Sequence, residues 1–160
     1  MMQKSKSLVI AEYFISKSQI AGEEITNKKI QKLLYYAQAW SLVFNGEKIF
    51  DDQIEAWVHG PAIPLIYFEF KKFGFGNISI TVNKSDFEAL SDKEEKLLDN
   101  VWSAYGKFDA DYLELLTHNE EPWQKARSGC AIDEYCNNEI NTDLMKEYYG
   151  RRLEEIKKGQ

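Results

Sequence analysis

The sequence predicts a mainly α-helical fold, organised as one domain over residues 1–160 from six or seven helices with a small β-hairpin attached. Apolar residues recur at three-to-four-residue spacing in successive windows, and recognisable start and stop residues bracket those windows. Only 3 Pro and 9 Gly interrupt the 160 residues, while 44% of them are hydrophobic and 14% aromatic. That composition supports a sizeable core and fits a compact domain better than a disordered tail. Neither an internal repeat nor a low-complexity linker divides the chain.

The first helix is expected from Ser7 to Lys17, with Val9, Ile10, Tyr13 and Phe14 along one side. The stretch Gln19 to Glu24 reads as a turn. Thr26 then caps the central helix, where Ile25 and Ile30 form a hydrophobic staple and Leu33, Leu34, Ala37, Ser41 and Phe44 continue the stripe toward Gly46. Alternation takes over between Gln53 and His59, and predicts a strand over residues 54–58. Gly60-Pro61 enforces an extended or turning backbone, because the proline ring disfavours helical geometry at the residue before it. Pro64 suits the first turn of a helix running to Phe73 and ending at Gly74. Residues 78–82 form a second β-prone run, and the expected hairpin pairs them with 54–58. Ser91 and Glu94 make a capping box ahead of Leu97, Leu98, Val101, Trp102 and Tyr105. Further helical segments are expected at Tyr112 to Leu116, at Trp123 to Arg127 after Pro122, and over residues 142–157, the last with Leu144, Met145, Tyr148 and Ile156 inward.

A net charge of −6 argues against a protein built to coat phosphate backbones. The charge is uneven: residues 1–80 hold 9 basic and 8 acidic side chains, residues 81–160 hold 11 and 18. Any basic surface therefore belongs to the first half. Lys28, Lys29 and Lys32 lie on the polar side of the central helix and invite a DNA-binding reading or, more simply, a solvated face. No arginine precedes Arg127, so the favoured bidentate reader of guanine is absent there. Residues 8–15 imitate a signal peptide only until Glu12 interrupts them, and no apolar run approaches the ~20 residues of a membrane span. Two cysteines, Cys130 and Cys136, are too few for a disulfide framework, so a reducing cytoplasm is the expected location.

Catalytic constellations are scarce. His59 and His118 are the only histidines, so a hydrolase or transferase would have to use one of them near a carboxylate. Cys130 with His118 lacks a local motif, and His118-x-x-Glu121 lacks the second half of a zinc signature. No phosphate-binding glycine loop is present, and no cofactor or metal is implied. The most informative stretch is Ile54 to Tyr67, which crowds aromatic residues, an imidazole and two prolines around a rigid bend. It reads either as a structural corner packing Trp57 inward or as a preorganised partner-binding patch presenting Trp57, His59 and Tyr67. Tyr35 and Tyr36 join that candidate patch, since two consecutive helical residues point in different directions and at least one is expected to remain accessible.

Three blocks carry a family resemblance: Ile25 to Trp40 (ITNKKIQKLLYYAQAW), Glu55 to Pro61 (EAWVHGP) continuing to Pro64 and Tyr67, and Thr117 to Arg127 (THNEEPWQKAR) with Ile132 downstream. In this order they resemble the Panacea-domain family, and the resemblance covers most of residues 8–150. His59 departs from the commoner family wording. The resemblance implies a mainly helical, non-enzymatic antitoxin that neutralises a toxin encoded in the adjacent gene by direct protein contact. Family partners include translation-blocking and membrane-active toxins, and one member delivers its toxin to a protease. The alternatives are therefore a DNA-binding regulator of its own operon and a proteolytic adaptor. Homo-oligomerisation stays open, a membrane partner is not expected, and nucleic acid is disfavoured as a partner of the chain alone.

Overall fold

The computed structural model describes residues 4–159. The elements run α1 (Lys6–Ala21), α2 (Asn27–Phe44), β1 (Glu55–Trp57), β2 (Gly60–Ala62), α3 (Pro64–Phe70), α4 (Asp92–Tyr105), α5 (Ala110–His118), α6 (Glu121–Ala126) and α7 (Thr142–Lys158), with 3-10 turns at Lys71–Phe73 and Lys84–Ala89. The fold is mainly helical with one small antiparallel hairpin, as the sequence predicts.

Local chemistry places the helix ends. Ser5 accepts from Leu8 N, Thr26 from Lys29 N, Asp109 from Tyr112 N and Asn141 from Leu144 N, while Ser91 and Glu94 form the reciprocal capping box. Helix α1 runs a turn beyond its expected end, because the polar Gln19 is compatible with helix and the chain reverses only at Gly22, whose φ is 69°.

Helix α2 is the axis of the molecule. It touches α1, α3, α4, α5, α7 and β2, and every residue from Lys29 to Ala39 is buried. Burying Ile30, Leu33 and Leu34 contributes about 1.5–3 kcal/mol per side chain. Its polar residues are satisfied internally: Gln38 donates to Phe50 O at 2.8 Å and accepts from Ile49 N at 2.8 Å, which ties the loop after α2 back onto the helix. Helix α7 packs through Met145 and Tyr149, then outruns the core, so Ile156 is exposed rather than inward.

The hairpin has a different partner from the expected one. β1 pairs with β2 in the register Glu55↔Ala62, Ala56↔Pro61 and Trp57↔Gly60, and residues 78–82 form no strand. The chain reverses at once because Gly60 adopts φ 106°, a conformation that L side chains rarely take. The other edge of β1 is covered by the segment before α7, with Ala56 N donating to Asn138 O and Ile140 N to Ile54 O, both at 2.8 Å. Residues 77–80 are held instead at the end of α1 and the loop after it, where Ile78 N donates to Ile25 O at 2.9 Å and Gln19 Nε2 to Ile80 O at 2.9 Å.

Candidate partner-binding site

The turn from Glu55 to Ile63 is braced from inside by side chains of α2 and α6. Arg127, just past α6, donates to Ala56 O at 2.8 Å, and the Trp123 indole donates to Trp57 O at 2.8 Å. Lys32 donates to Pro61 O at 3.2 Å, while Gln31 Oε1 accepts from Ile63 N at 2.7 Å. Gln31 also donates to Asn27 Oδ1, and Asn27 in turn donates to Tyr67 O, each at 3.0 Å. His118 stacks on Trp123 with ring centroids 4.0 Å apart. The three sequence blocks, far apart along the chain, thus converge on this corner. Helix spacing sets the geometry: Asn27 and Gln31 lie four residues apart on one face of α2, and Trp123 and Arg127 repeat that spacing at α6.

With its backbone satisfied, the corner turns side chains outward. Trp57 meets Tyr67 edge to face at 5.0 Å and donates from its indole to Glu55 at 2.8 Å. His59 sits at the tip with its side chain 76% exposed, its Nδ1 3.3 Å from Glu114 Oε1. Trp57, His59 and Tyr67 are therefore brought together at the corner. Tyr35 and Tyr36 are not.

Both tyrosines are 0% exposed, which corrects the expectation that one of them stays accessible. Neighbouring helical side chains do diverge, but α2 has protein on every side, so divergence leads each ring into a different part of the core. Tyr36 and Tyr149 donate to Glu120 Oε1 at 2.6 and 2.9 Å, and the Tyr35 and Tyr149 hydroxyls lie 2.9 Å apart. Burial pushes the Glu120 carboxyl above its ordinary value, against the two tyrosine hydrogen bonds, and holds all three phenols well above theirs. Tyr105, stacked on Tyr36 at 4.0 Å, is pushed up to about 12 by the same burial.

The lysines of α2 do not form a basic face. Lys28 pairs with Asp111 and Glu114 at 2.8 and 2.5 Å, Lys29 reaches Gly106 O, and Lys32 is enclosed beneath Gly60 and Pro61. Cys130 and Cys136, expected to be too few for a disulfide framework, pair with each other, so the Cys130 sulfur is not a free thiol that could act with His118. Sequence reasoning missed Gln31, Lys32, Trp123 and Arg127 as corner braces. All four lie inside the quoted blocks, but their spacing along the chain carries no sign of the shared target.

Burial lowers Lys32 from 10.5 to about 7, with Lys28 adding repulsion. Between those values the unfolded chain holds the proton that the folded chain has lost, so stability rises with pH by up to about 1.4 kcal/mol per pH unit across this window. Lys32→Met removes most of that rise. Denaturant midpoints of the two proteins, followed from pH ~7 to ~9.5, where the raised tyrosines have not yet begun to oppose it, check the prediction.

Fold and site together define a helical scaffold, built on one enclosed helix, that displays a braced aromatic corner. The chain belongs to the SocA-like antitoxin family with a Panacea domain, which matches residues 30–124, more than half its length. Antitoxin SocA of Caulobacter vibrioides (strain NA1000 / CB15N) is 32% identical over 65 residues. That match spans 41% of this chain and 35% of the relative, about a third of the latter's length. No solved structure matches. Among the described residues, no helix is long and apolar enough to cross a membrane.

Proposed function

We propose that this chain neutralises a toxin encoded in the adjacent gene by covering its harmful surface through direct contact and without catalysing a reaction. Family membership supports the antitoxin role. The observation that carries the contact reading is the bracing of the corner: four side chains hold its backbone, so Trp57, His59 and Tyr67 are presented with little conformational entropy left to lose on binding. Aromatic side chains held this way are the usual centres of binding energy. The DNA-binding alternative loses support because Lys28, Lys29 and Lys32 are engaged within the fold.

The test is co-expression with the adjacent reading frame, followed by purification. Growth rescue with a co-purifying complex is expected, and rescue without physical association overturns masking as the mechanism. Trp57→Ala should leave cooperative unfolding in place, since the ring is only half-buried. It should weaken the complex by about 2 kcal/mol or more, roughly 30-fold in Kd. A variant that binds and rescues as well as the unaltered chain removes Trp57 from the interface.

A further inference from the structure

We infer that the docking surface continues from the corner along the outer face of α3 into the following turn, and that it takes an apolar segment of the toxin flanked by acidic side chains. This rests on the contact reading above and adds the chemistry of the partner segment.

Helix α3 is held by one face. Ile66 and Phe70 are buried, and Tyr67 O accepts from Asn27. The opposite face carries Leu65 and Phe68, three residues apart and therefore adjacent, at 73% and 61% exposure. Phe68 lies 5.7 Å from Tyr67, which itself meets Trp57 at 5.0 Å, so the apolar surface runs unbroken from the corner to α3. Beyond the helix, Phe75 is 99% exposed in the turn after Gly74. Leu65, Phe68, Tyr67 and Trp57 thus form one contiguous apolar surface, and such contiguity marks an interaction surface, whereas scattered apolar side chains need no explanation.

The charge at the far end selects the partner. Lys71 Nζ lies 5.6 Å over the Phe68 ring and Lys72 Nζ 5.4 Å over Phe73. Among the described residues neither lysine pairs with a carboxylate, whereas Lys4, Lys6, Lys17, Lys28 and Lys125 all do. Glu69 is the one acidic residue within α3, so two lysines leave this end positive on a chain whose net charge is −6. Apolar side chains on Leu65, Phe68 and Tyr67, with Asp or Glu reaching Lys71 and Lys72, complement that layout.

The experiment measures binding of the purified adjacent-frame product to the full chain at low and high salt. Phe68→Ser is expected to weaken binding at least about tenfold at both. The double variant Lys71→Glu, Lys72→Glu should weaken it about tenfold at low salt, mainly through slower association, and approach the unaltered chain at high salt. Phe44→Ser, an exposed aromatic at the other end of α2, serves as the control and should stay within about twofold. All four positions are exposed, so unchanged melting curves accompany these results. If Phe68→Ser and the lysine variant bind like the unaltered chain while Trp57→Ala does not, the α3 surface is overturned and the corner reading stands. If the unaltered chain itself fails to bind, both are overturned.

Discussion

Arg127→Ala is expected to lower the unfolding free energy by about 3 kcal/mol, seen as a fall in melting temperature of about 6–12 °C. The guanidinium is buried and donates to Ala56 O at 2.8 Å, Ala131 O at 2.8 Å and Glu134 O at 2.6 Å, with Ile132 O a longer contact at 3.4 Å. It also lies 5.3 Å from the Trp123 ring. Water can replace the donor at the exposed Ala131, Ile132 and Glu134, but not at Ala56, which is 0% exposed. Most of the loss therefore comes from one stranded carbonyl, the cavity and the lost stacking. Arg127→Lys should recover little, because a single ammonium does not reach acceptors on opposite sides of the planar fork. Thermal or denaturant unfolding of both variants measures this. A melting temperature unchanged by Arg127→Ala would show that the corner does not depend on this brace.

Gly60→Ala should cost about 2–4 kcal/mol through backbone strain and overpacking. At φ 106° an added Cβ lies 2.5 Å from Lys32 Cε and 3.0 Å from Thr117 Oγ1. The lysine is a long side chain, but it is enclosed and its Nζ is committed to Pro61 O, so it has little room to move. Gly22→Ala is the comparison, since φ there is 69° but nothing lies within 4 Å of the added Cβ. Gly60→Ala should be clearly the more damaging by denaturant midpoint, and equal effects would mean that the contact beneath the corner yields easily. Because the corner carries Trp57 and His59, loss of toxin binding in Gly60→Ala should exceed what the fall in stability accounts for.

Much of the helical framework is legible in the residues themselves. Ser91 with Glu94, Thr26 with its flanking Ile25 and Ile30, and Pro64 mark helix starts through contacts within a few residues, and α2 from Asn27 to Phe44 follows directly from such signals. The corner is legible for the same reason: Gly60-Pro61 restricts its own backbone wherever it sits. The pairing of β1 is not legible, because residues 54–58 and 78–82 have equal claim to strand character. What decides between partners is the immediate reversal at Gly60 together with the hydrogen bonds from Ala56 N to Asn138 O and from Ile140 N to Ile54 O. Candidate residues divided in the same way. Trp57, His59 and Tyr67 are placed by a local bend, whereas the fate of Tyr35 and Tyr36 depended on how many helices surround α2.

By itself, the sequence determined where the best-capped helices begin, which family wording the chain carries and where its rigid bend lies, since each of these rests on a residue and its near neighbours. Only the tertiary structure decided that Lys29, Lys32, Tyr35 and Tyr36 are interior and that Gln31, Lys32, Trp123 and Arg127 serve one corner. It also decided which face of α3 remains uncovered. Helical periodicity reports how an element divides its apolar and polar sides, but burial is set by the number and placement of distant elements packed around it.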